Sequence, residues 1–241
     1  MTPDTVIAFD AYGTLLSTES IAQKLADHFG QEQGSLLAAS WRRIQLEYTW
    51  RLNSMQQYVP FSVITRNSLK HALAESRLSL DGSATEKLME AYDSLSTFPD
   101  VSPALEAIAK TEGINAVVFS NGTDSMVGNS VKSSPDLGPH ASVFKDIITV
   151  EEVQCFKPHP KVYFHLAEKV GKSHDAMEEI WLISGNPFDI VGARAVGMKA
   201  CWVDRAGNGW TDELVQGASG KPTVVVKGLD GVLDAVRRHF K

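Results

Sequence analysis

Apolar and polar positions along this chain follow two different periods, and their order predicts a sheet interrupted by a block of helices. The run from Val6 to Phe9 is short and apolar, as expected of a strand buried on both faces, and Asp10 follows it directly. Between Ser20 and Leu95 the apolar positions recur at helical spacing instead. This part of the chain is predicted to form helices over residues 20–29, 35–55, 60–73 and 85–95.

After Pro99 the pattern returns to an alternation of strands and helices. Short apolar runs predict strands over residues 116–120, 147–150, 180–184, 200–203 and 224–226. Stretches at helical spacing predict helices over residues 102–111, 160–170, 189–196 and 229–240. The segment Lys132–His140 is polar and contains Pro and Gly, so it is predicted to be a loop.

This order of elements predicts an α/β protein with two domains. The alternation of strands and helices is typical of a doubly wound, mostly parallel sheet of the Rossmann-like kind. We assign residues 1–16 and 97–241 to this core domain. The helical block between them, residues 17–96, is predicted to be a cap domain inserted after the first strand.

Composition and charge narrow the classes of function. A chain of 241 residues with 43% apolar residues can bury a large core, so folding needs no disulfide or metal. The net charge of −6 argues against a nucleic-acid partner. The first residues lack the features of a signal peptide and no apolar run could cross a bilayer, so we expect a soluble, cytoplasmic protein without a membrane partner. Cys155 and Cys201 are predicted to be buried, reduced thiols.

Reactive polar residues follow four of the predicted strands. Asp10 ends the first strand, Ser120 and Asn121 end the second, Lys157 lies shortly after the third, and Asp189 follows the fourth. Taken singly, these residues could cap turns, carry surface charge or stabilise a helix N-terminus. Because the carboxyl ends of parallel strands form the ligand-binding edge of such sheets, we expect them to meet in one crevice. There a carboxylate could ligate a metal, orient a ligand or attack carbon or phosphorus.

These segments, in this order and with helices inserted after the first, resemble the haloacid dehalogenase superfamily and, within it, the L-2-haloacid dehalogenases. The resemblance covers nearly the whole chain. In Asp10-Ala-Tyr-Gly-Thr14, Tyr12 stands where phosphatases of the superfamily carry a second aspartate that serves as general acid and base. The cap segment Ser40–Trp50 is similar to the substrate-facing helix of the subfamily, with Arg42 rather than Arg43 at the position of the halide-binding arginine.

The resemblance implies hydrolytic dehalogenation of a short L-2-haloacid. Asp10 would attack the halogen-bearing carbon, displace halide with inversion and retain an ester on its own side chain. Water, positioned and deprotonated by Asp189, would then split the ester at the aspartyl carbonyl and free a 2-hydroxy acid. Lys157 would balance the charge of Asp10. The expected partners are the haloacid and the halide, and a homodimer is a plausible assembly.

The resemblance also assigns the other site residues by what they would contact. The departing halide would be held by Arg42, Asn121 and the ring edge of Phe188. The substrate carboxylate would be held by Ser120 and by the main-chain N–H groups of Ala11 and Tyr12. The alkyl group would be lined by Leu46 and Phe61. Supporting contacts would come from Thr14, Tyr163, Ser184 and Asn186.

Neither a metal nor a cofactor is expected at this site. Halide is a good leaving group that needs no proton, so Tyr12 is acceptable beside the nucleophile. Phosphoryl transfer, in contrast, commonly needs Mg²⁺ to neutralise several charged oxygens. With Tyr12 in place of a carboxylate, a metal site built from Asp10 and Asp189 would lack a further acidic ligand. We therefore predict metal-independent activity.

Two other interpretations stay open at this point. One is a phosphatase of the same superfamily with an altered acid and base. The other is a non-catalytic, receiver-like module in which Asp10 accepts a phosphoryl group or holds a ligand, although such a module needs no cap. Gly185, Pro187 and the long 132–140 segment depart from the family pattern, which affects the placement of Asp189 or the substrate range without removing a catalytic group.

Overall fold

The computed structural model describes residues 5–239, and its core is a six-stranded sheet flanked by helices. The strands are β1 (Thr5–Asp10), β2 (Ile114–Ser120), β3 (Phe144–Thr149), β4 (Ile180–Ser184), β5 (Lys199–Val203) and β6 (Val224–Val226). They lie in the order β3-β2-β1-β4-β5-β6, and every adjacent pair is parallel. The predicted α/β class with a doubly wound, parallel sheet is confirmed.

Helices connect the strands and form the insertion after β1. They are α1 (Glu19–Phe29), α2 (Gln31–Ser54), α3 (Phe61–Glu75), α4 (Gly82–Tyr92), α5 (Val101–Ala109), α6 (Asp124–Ser133), α7 (Pro160–Lys169), α8 (Pro187–Ala195) and α9 (Val232–Arg237). The first four form the cap. Within residues 5–239, none of the helices is long and apolar enough to cross a membrane.

β1 is the strand around which the crevice forms. It lies between β2 and β4, and Ile7, Ala8 and Phe9 are fully buried because the layers on both sides cover them. The chain continues from β1 to β2 and β3 on one side, and later adds β4, β5 and β6 on the other. A crevice opens at the carboxyl ends of the strands where the strand order reverses in this way. Asp10, the last residue of β1, lies at that point.

The two chain connections between sheet and cap lie side by side. The main-chain N–H of Ser17 donates to the carbonyl of Ser96 at 2.7 Å, and Leu16 and Thr97 form an antiparallel bridge. Two neighbouring connections are expected of an inserted domain, because the chain must leave the core and re-enter it at one place. The limits of the cap at residues 17 and 96 remain a prediction.

The sequence pattern predicts no helix between β2 and β3, and here the structure corrects it. α6 fills this connection, and the Thr123 hydroxyl caps it by accepting the N–H of Met126 at 3.2 Å. The predicted loop Lys132–His140 therefore begins inside α6 and ends within a 3₁₀ turn at Gly138–Val143. Gly128 and the surrounding polar residues interrupt the apolar spacing from which a helix is predicted. Thr123, a favoured N-cap residue, was a signal that could have indicated this helix.

Several element boundaries differ from the prediction, among them the start of α2, which is Gln31 rather than residue 35. Two of the differences have a local reason. β3 begins at Phe144 rather than at residue 147, and the prediction missed its first half because Lys145 and Asp146 are exposed on this edge strand and interrupt the apolar run. α4 begins three residues earlier than predicted. The Asp81 carboxylate determines this start by accepting the N–H of Ala84 at 2.7 Å.

The C-terminal segment forms a 3₁₀ turn followed by a short helix, and both cysteines are buried. The predicted helix 229–240 is α9 preceded by a 3₁₀ turn at Leu229–Gly231, and Phe240 lies outside the described residues. The turn is held by a hydrogen bond of 2.6 Å from the N–H of Leu229 to Asp100. Cys155 and Cys201 are buried free thiols, as predicted.

Replacing Gly34 by alanine should destabilise the protein, because α1 and α2 cross closely at this residue. A Cβ there would lie 2.5 Å from the main-chain nitrogen of Ala26, and helix backbone cannot yield as a flexible side chain can. We expect a loss of about 1–3 kcal/mol in the free energy of unfolding, measured by urea denaturation.

Gly128→Ala is the matched control, since a Cβ there meets nothing within 4 Å. It lies inside α6, so alanine should raise the free energy of unfolding by roughly 0.5–1 kcal/mol. Equal effects of the two substitutions would contradict the assigned close crossing of α1 and α2.

Candidate active site

The carboxylate of Asp10 lies at the base of a cavity between sheet and cap, where the residue is 6% exposed. Its Oδ2 accepts hydrogen bonds from the Thr14 hydroxyl at 2.7 Å and from the Asn186 amide at 2.7 Å, with a longer contact of 3.4 Å from the Ser184 hydroxyl. Its Oδ1 accepts one bond, from the Lys157 ammonium at 3.0 Å. The carboxylate is thus fixed mainly through Oδ2, which leaves Oδ1 a lone pair with which to react.

Lys157 is buried and joins two acidic residues. Its ammonium donates to Asp10 Oδ1 at 3.0 Å, to Asp189 Oδ2 at 2.7 Å and to the carbonyl of Phe119 at 2.8 Å. All three ammonium hydrogens are therefore used. The Asn121 side-chain oxygen accepts the main-chain N–H of Lys157 at 2.9 Å, which fixes the backbone from which the lysine extends.

Asp189 lies in the first turn of α8 and is fully buried. Burial raises the pKa of Asp189 to about 6, and the nearby Lys157 ammonium opposes that shift. The Tyr163 hydroxyl donates to Asp189 Oδ1 at 2.8 Å, so both carboxylate oxygens have partners. A Cβ on Gly192 would lie 2.3 Å from this hydroxyl, so glycine is needed for Tyr163 to reach Asp189.

The turn after β4 packs against the loop that follows Asp10. The Thr14 hydroxyl, which donates to Asp10, also accepts the N–H of Gly185 at 2.9 Å. A Cβ on Gly185 would lie 2.6 Å from the carbonyl oxygen of Gly13, which is fixed backbone. The close approach of these two loops therefore explains why glycine occupies position 185, where the sequence departs from the family pattern.

The cap contributes a cation and an apolar wall. The Arg42 guanidinium on α2 donates to the carbonyl of Tyr12 at 3.3 Å and to the Asn186 side-chain oxygen at 3.5 Å. Phe61, at the start of α3, stacks on the ring of Tyr12 with centroids 5.7 Å apart. Leu46 lies one turn after Arg42 on the same helix and lines the same cavity.

Eight predicted site residues line this small cavity. They are Asp10, Tyr12, Arg42, Leu46, Phe61, Asn121, Lys157 and Phe188. They come from the carboxyl ends of β1 and β2, from the segment after β3, from α8 and from the cap. The predicted crevice at the sheet edge is thus present, and the cap closes it.

The other seven predicted residues adjoin these eight. They are Ala11, Thr14, Ser120, Tyr163, Ser184, Asn186 and Asp189. Thr14, Ser184 and Asn186 donate hydrogen bonds to Asp10. Asp189 accepts a hydrogen bond from Lys157, and Tyr163 donates one to Asp189. The Ser120 hydroxyl accepts the N–H of Gly122 at 3.0 Å. Asp189 reaches the cavity through Lys157 rather than lining it.

Two residues that the sequence did not single out contact this site. The side-chain oxygen of Gln45 accepts a hydrogen bond of 2.8 Å from Arg42, and the spacing of three residues on one helix face was a signal for it. The Asn53 side chain donates to the carbonyl of Phe156 at 2.7 Å and accepts its N–H at 2.9 Å. These partners are 103 residues apart, so the sequence carries no local signal for the second contact.

The site combines the Asp10 carboxylate with two cations, Lys157 and Arg42, in different surroundings. The Lys157 ammonium lies between Asp10 and Asp189, so the two carboxylates are already bridged by a positive charge. Within the described part of the chain, His, Cys, Asp and Glu form no group of three suited to a metal ion. The Arg42 guanidinium faces the same cavity from the cap. Such a site suits attack by the carboxylate on an electrophile that carries an anionic group.

Comparisons with known proteins agree with this chemistry. A family model described as haloacid dehalogenase-like hydrolase matches residues 5–197. Haloacetate dehalogenase H-2 of Moraxella sp. (strain B) is 33% identical over 230 residues, which are 95% of this chain and 96% of that protein. An (S)-2-haloacid dehalogenase of Pseudomonas putida is 35% identical over 223 residues, 92% of each chain. The structure of L-2-haloacid dehalogenase from Xanthobacter autotrophicus with chloropropionic acid covalently bound matches with a TM-score of 0.84 and 26% identity, covering 98% of this chain and 99% of that one.

A helical cap closed over a carboxylate at the end of a central parallel strand defines the class, and the chain belongs to the haloacid dehalogenase-like hydrolases. Within that family it groups with the L-2-haloacid dehalogenases, as the residues from Asp10 to Thr14 predict. The resemblance stated from the sequence is therefore confirmed.

Proposed function

We propose that this protein hydrolyses short L-2-haloacids to 2-hydroxy acids, with inversion, through an ester on Asp10. The observation that carries the proposal is the state of the Asp10 carboxylate. It borders the cavity, it is fixed through Oδ2, and its Oδ1 retains a lone pair. The dehalogenases among its relatives support carbon, rather than phosphorus, as the atom attacked.

In the first step Asp10 Oδ1 attacks C2 of the substrate from the side opposite the halogen. The new O–C bond forms as the C–halogen bond breaks, and the halide leaves with the bonding electron pair. No proton is transferred in this step, so it needs no acid beside the nucleophile. Burial raises the pKa of Tyr12 well above its ordinary value, which keeps its ring neutral at that position.

Two sets of groups receive the negative charges of the substrate. The Arg42 guanidinium, the Asn121 amide and the edge of the Phe188 ring bind the departing halide. Because the Asn121 oxygen accepts the N–H of Lys157, its NH₂ group is the end available to an anion. Ser120 and the main-chain N–H groups of Ala11 and Tyr12 hold the carboxylate.

In the second step water attacks the carbonyl carbon of the Asp10 ester. Asp189 accepts one proton from this water and passes it to the oxygen of the departing 2-hydroxy acid. The second proton of the water stays on Asp10 as the ester breaks, and its release to solvent restores the Asp10 carboxylate. The raised pKa of Asp189, about 6, makes it a better base than an ordinary carboxylate while leaving it ionised at neutral pH. The Tyr163 hydroxyl orients Asp189, and Thr14, Ser184 and Asn186 orient Asp10.

Purified protein should release halide from L-2-chloropropionate in excess EDTA, because the Lys157 ammonium provides the positive charge that a metal would otherwise supply. Asp10→Asn should show no detectable turnover in a halide assay. In a single turnover in ¹⁸O-water, heavy oxygen should enter the side chain of Asp10, as detected by mass analysis of its peptide.

A metal requirement or full activity of Asp10→Asn would contradict this mechanism. Release of phosphate from small phosphomonoesters with Mg²⁺, without halide release, would instead identify a phosphatase. Neither turnover nor an ester on Asp10 after incubation with haloacids would favour the receiver-like module.

Asp189→Asn should trap the ester, because alkylation of Asp10 needs no base whereas hydrolysis does. We expect hydrolysis to slow by at least about 100-fold, with the ester accumulating on Asp10 in quenched samples. In the wild type the hydrolysis rate should fall on the acid side of about pH 6, where Asp189 gains a proton. Loss of the Asp10 charge in the ester removes one cause of the raised pKa, so this acid limb should lie at or below that value.

The control for this step is alkylation itself, followed as a pre-steady-state burst of halide. Its rate should change little in Asp189→Asn. If the variant loses the burst together with hydrolysis, Asp189 supports the position of Lys157 rather than acting as the base.

We further propose that two chains pair through the outer face of the cap. Met55, in the turn after α2, and Val63, in α3, are large apolar residues that are 55% and 41% exposed, and we take them as the apolar part of this contact. Sedimentation velocity should show a species of twice the 26.3 kDa chain mass. Met55→Glu combined with Val63→Glu should shift it to monomer. Val225→Glu, on the edge strand β6 of the core, should not.

A further inference from the structure

The interior of the cap contains a buried polar cluster that its packing alone does not require. Gln45, Thr65 and Ser68 are fully buried between α2 and α3. Burying polar groups costs free energy unless each finds a hydrogen-bond partner, and apolar side chains would fill this space without that cost. The cluster calls for an explanation other than packing.

The contacts around Gln45 fix which way its amide points. The Thr65 hydroxyl donates to the carbonyl of Phe61 at 2.8 Å, so its oxygen accepts from the Gln45 NH₂ group, also at 2.8 Å. The Gln45 oxygen therefore points the other way. There it accepts from Arg42 Nη1 at 2.8 Å and from the Tyr92 hydroxyl at 3.0 Å. A reversed amide would set donor against donor at Arg42.

Arg42 is the cation of the cavity that can still meet an anion. Of the lining residues, Lys157 and Arg42 are cationic, and the Lys157 ammonium already donates to three acceptors. The bonds from Arg42 to the core are long, at 3.3 and 3.5 Å, whereas its bond to Gln45 is 2.8 Å. The Gln45 oxygen is thus the contact that determines how the guanidinium is oriented.

We infer that Gln45 is a positioning residue, which orients the Arg42 guanidinium toward the halide that leaves the substrate. This inference deepens the proposed function and rests on it. Gln45 itself does not line the cavity, so it acts through Arg42. Negative charge grows on the halogen in the transition state, and an oriented donor stabilises that charge more than it stabilises the neutral carbon–halogen bond.

This role predicts a dependence on the leaving group. Chloride is the poorer leaving group, so its departure depends more on stabilisation by Arg42 than the departure of bromide does. Loss of the Gln45 oxygen should therefore slow displacement of chloride more than displacement of bromide. A role in cap stability alone would slow both to the same extent.

The test compares Gln45→Met, which keeps the length of the side chain but removes both hydrogen-bonding groups, with Ser68→Ala. Ser68 belongs to the same buried cluster and bonds to Trp41 and Thr65 rather than to Arg42. Single-turnover alkylation of Asp10 is measured with L-2-chloropropionate and L-2-bromopropionate. We expect Gln45→Met to slow the chloride reaction about ten-fold and to raise the bromo-to-chloro rate ratio, while Ser68→Ala leaves the ratio unchanged.

Binding of bromide to the free protein gives a second readout that needs no turnover. Trp50 lies against Phe188 at 5.6 Å, so tryptophan fluorescence should report a bromide titration. Gln45→Met should weaken bromide binding about ten-fold. Gln45→Glu serves if the methionine variant does not fold, and it should weaken binding because its carboxylate would neutralise Arg42. Urea denaturation checks that each variant is folded.

The outcomes separate the inference from the proposed function. An unchanged rate ratio and unchanged bromide affinity in the folded Gln45 variants would overturn the role of Gln45 while leaving the dehalogenase activity intact. A wild type that binds bromide but releases no halide would overturn the proposed function, and bromide affinity of the variants would then decide whether Gln45 orients Arg42. A wild type that neither binds bromide nor releases halide would overturn both.

Discussion

The active site depends on one buried ammonium group between two carboxylates. Asp10 ends β1 and Asp189 lies in the first turn of α8, which follows β4, and Lys157 bonds to both while being 1% exposed. Without that positive charge, two buried carboxylates would repel each other and one would take up a proton. Removing one member of such a group leaves an uncompensated charge in the interior, which is far more costly than losing a surface ion pair. The surrounding structure therefore has to keep all three together.

Much of the local structure follows from this requirement. Asn121 fixes the main chain of Lys157, Tyr163 reaches over Gly192 to hold Asp189, and Thr14 joins Asp10 to the turn after β4. Each support comes from a different element, so the sheet must place the carboxyl ends of β1, β2 and β4 side by side. The parallel order around β1 does this. The strand order that defines the fold is therefore also what brings the site residues together.

The sequence predicts most of this arrangement, because strand ends and a local motif carry it. Short apolar runs identified the strands, and each reactive residue stood at or near the end of one. What the sequence missed has a physical cause in each case. The period of α6 is interrupted by Gly128, and β3 lies at the sheet edge with Lys145 and Asp146 exposed. The sequence could not show that Asp189 is fully buried beside Lys157 and does not line the cavity, because motif residues do not indicate how deeply a side chain is buried.

The cap is tied to the core at the residues on which the chemistry depends. Arg42 bonds to the carbonyl of Tyr12, two residues after Asp10, and Asn53 bonds to both main-chain groups of Phe156, one residue before Lys157. Arg42 belongs to the cap, whereas Asp10 and Lys157 belong to the core, so the cavity has both cations only where the two domains meet. The hydrogen bonds that join the cap to the core therefore also hold the Arg42 guanidinium over the Asp10 carboxylate, because they run from Arg42 and Asn53 of the cap to residues beside Asp10 and Lys157.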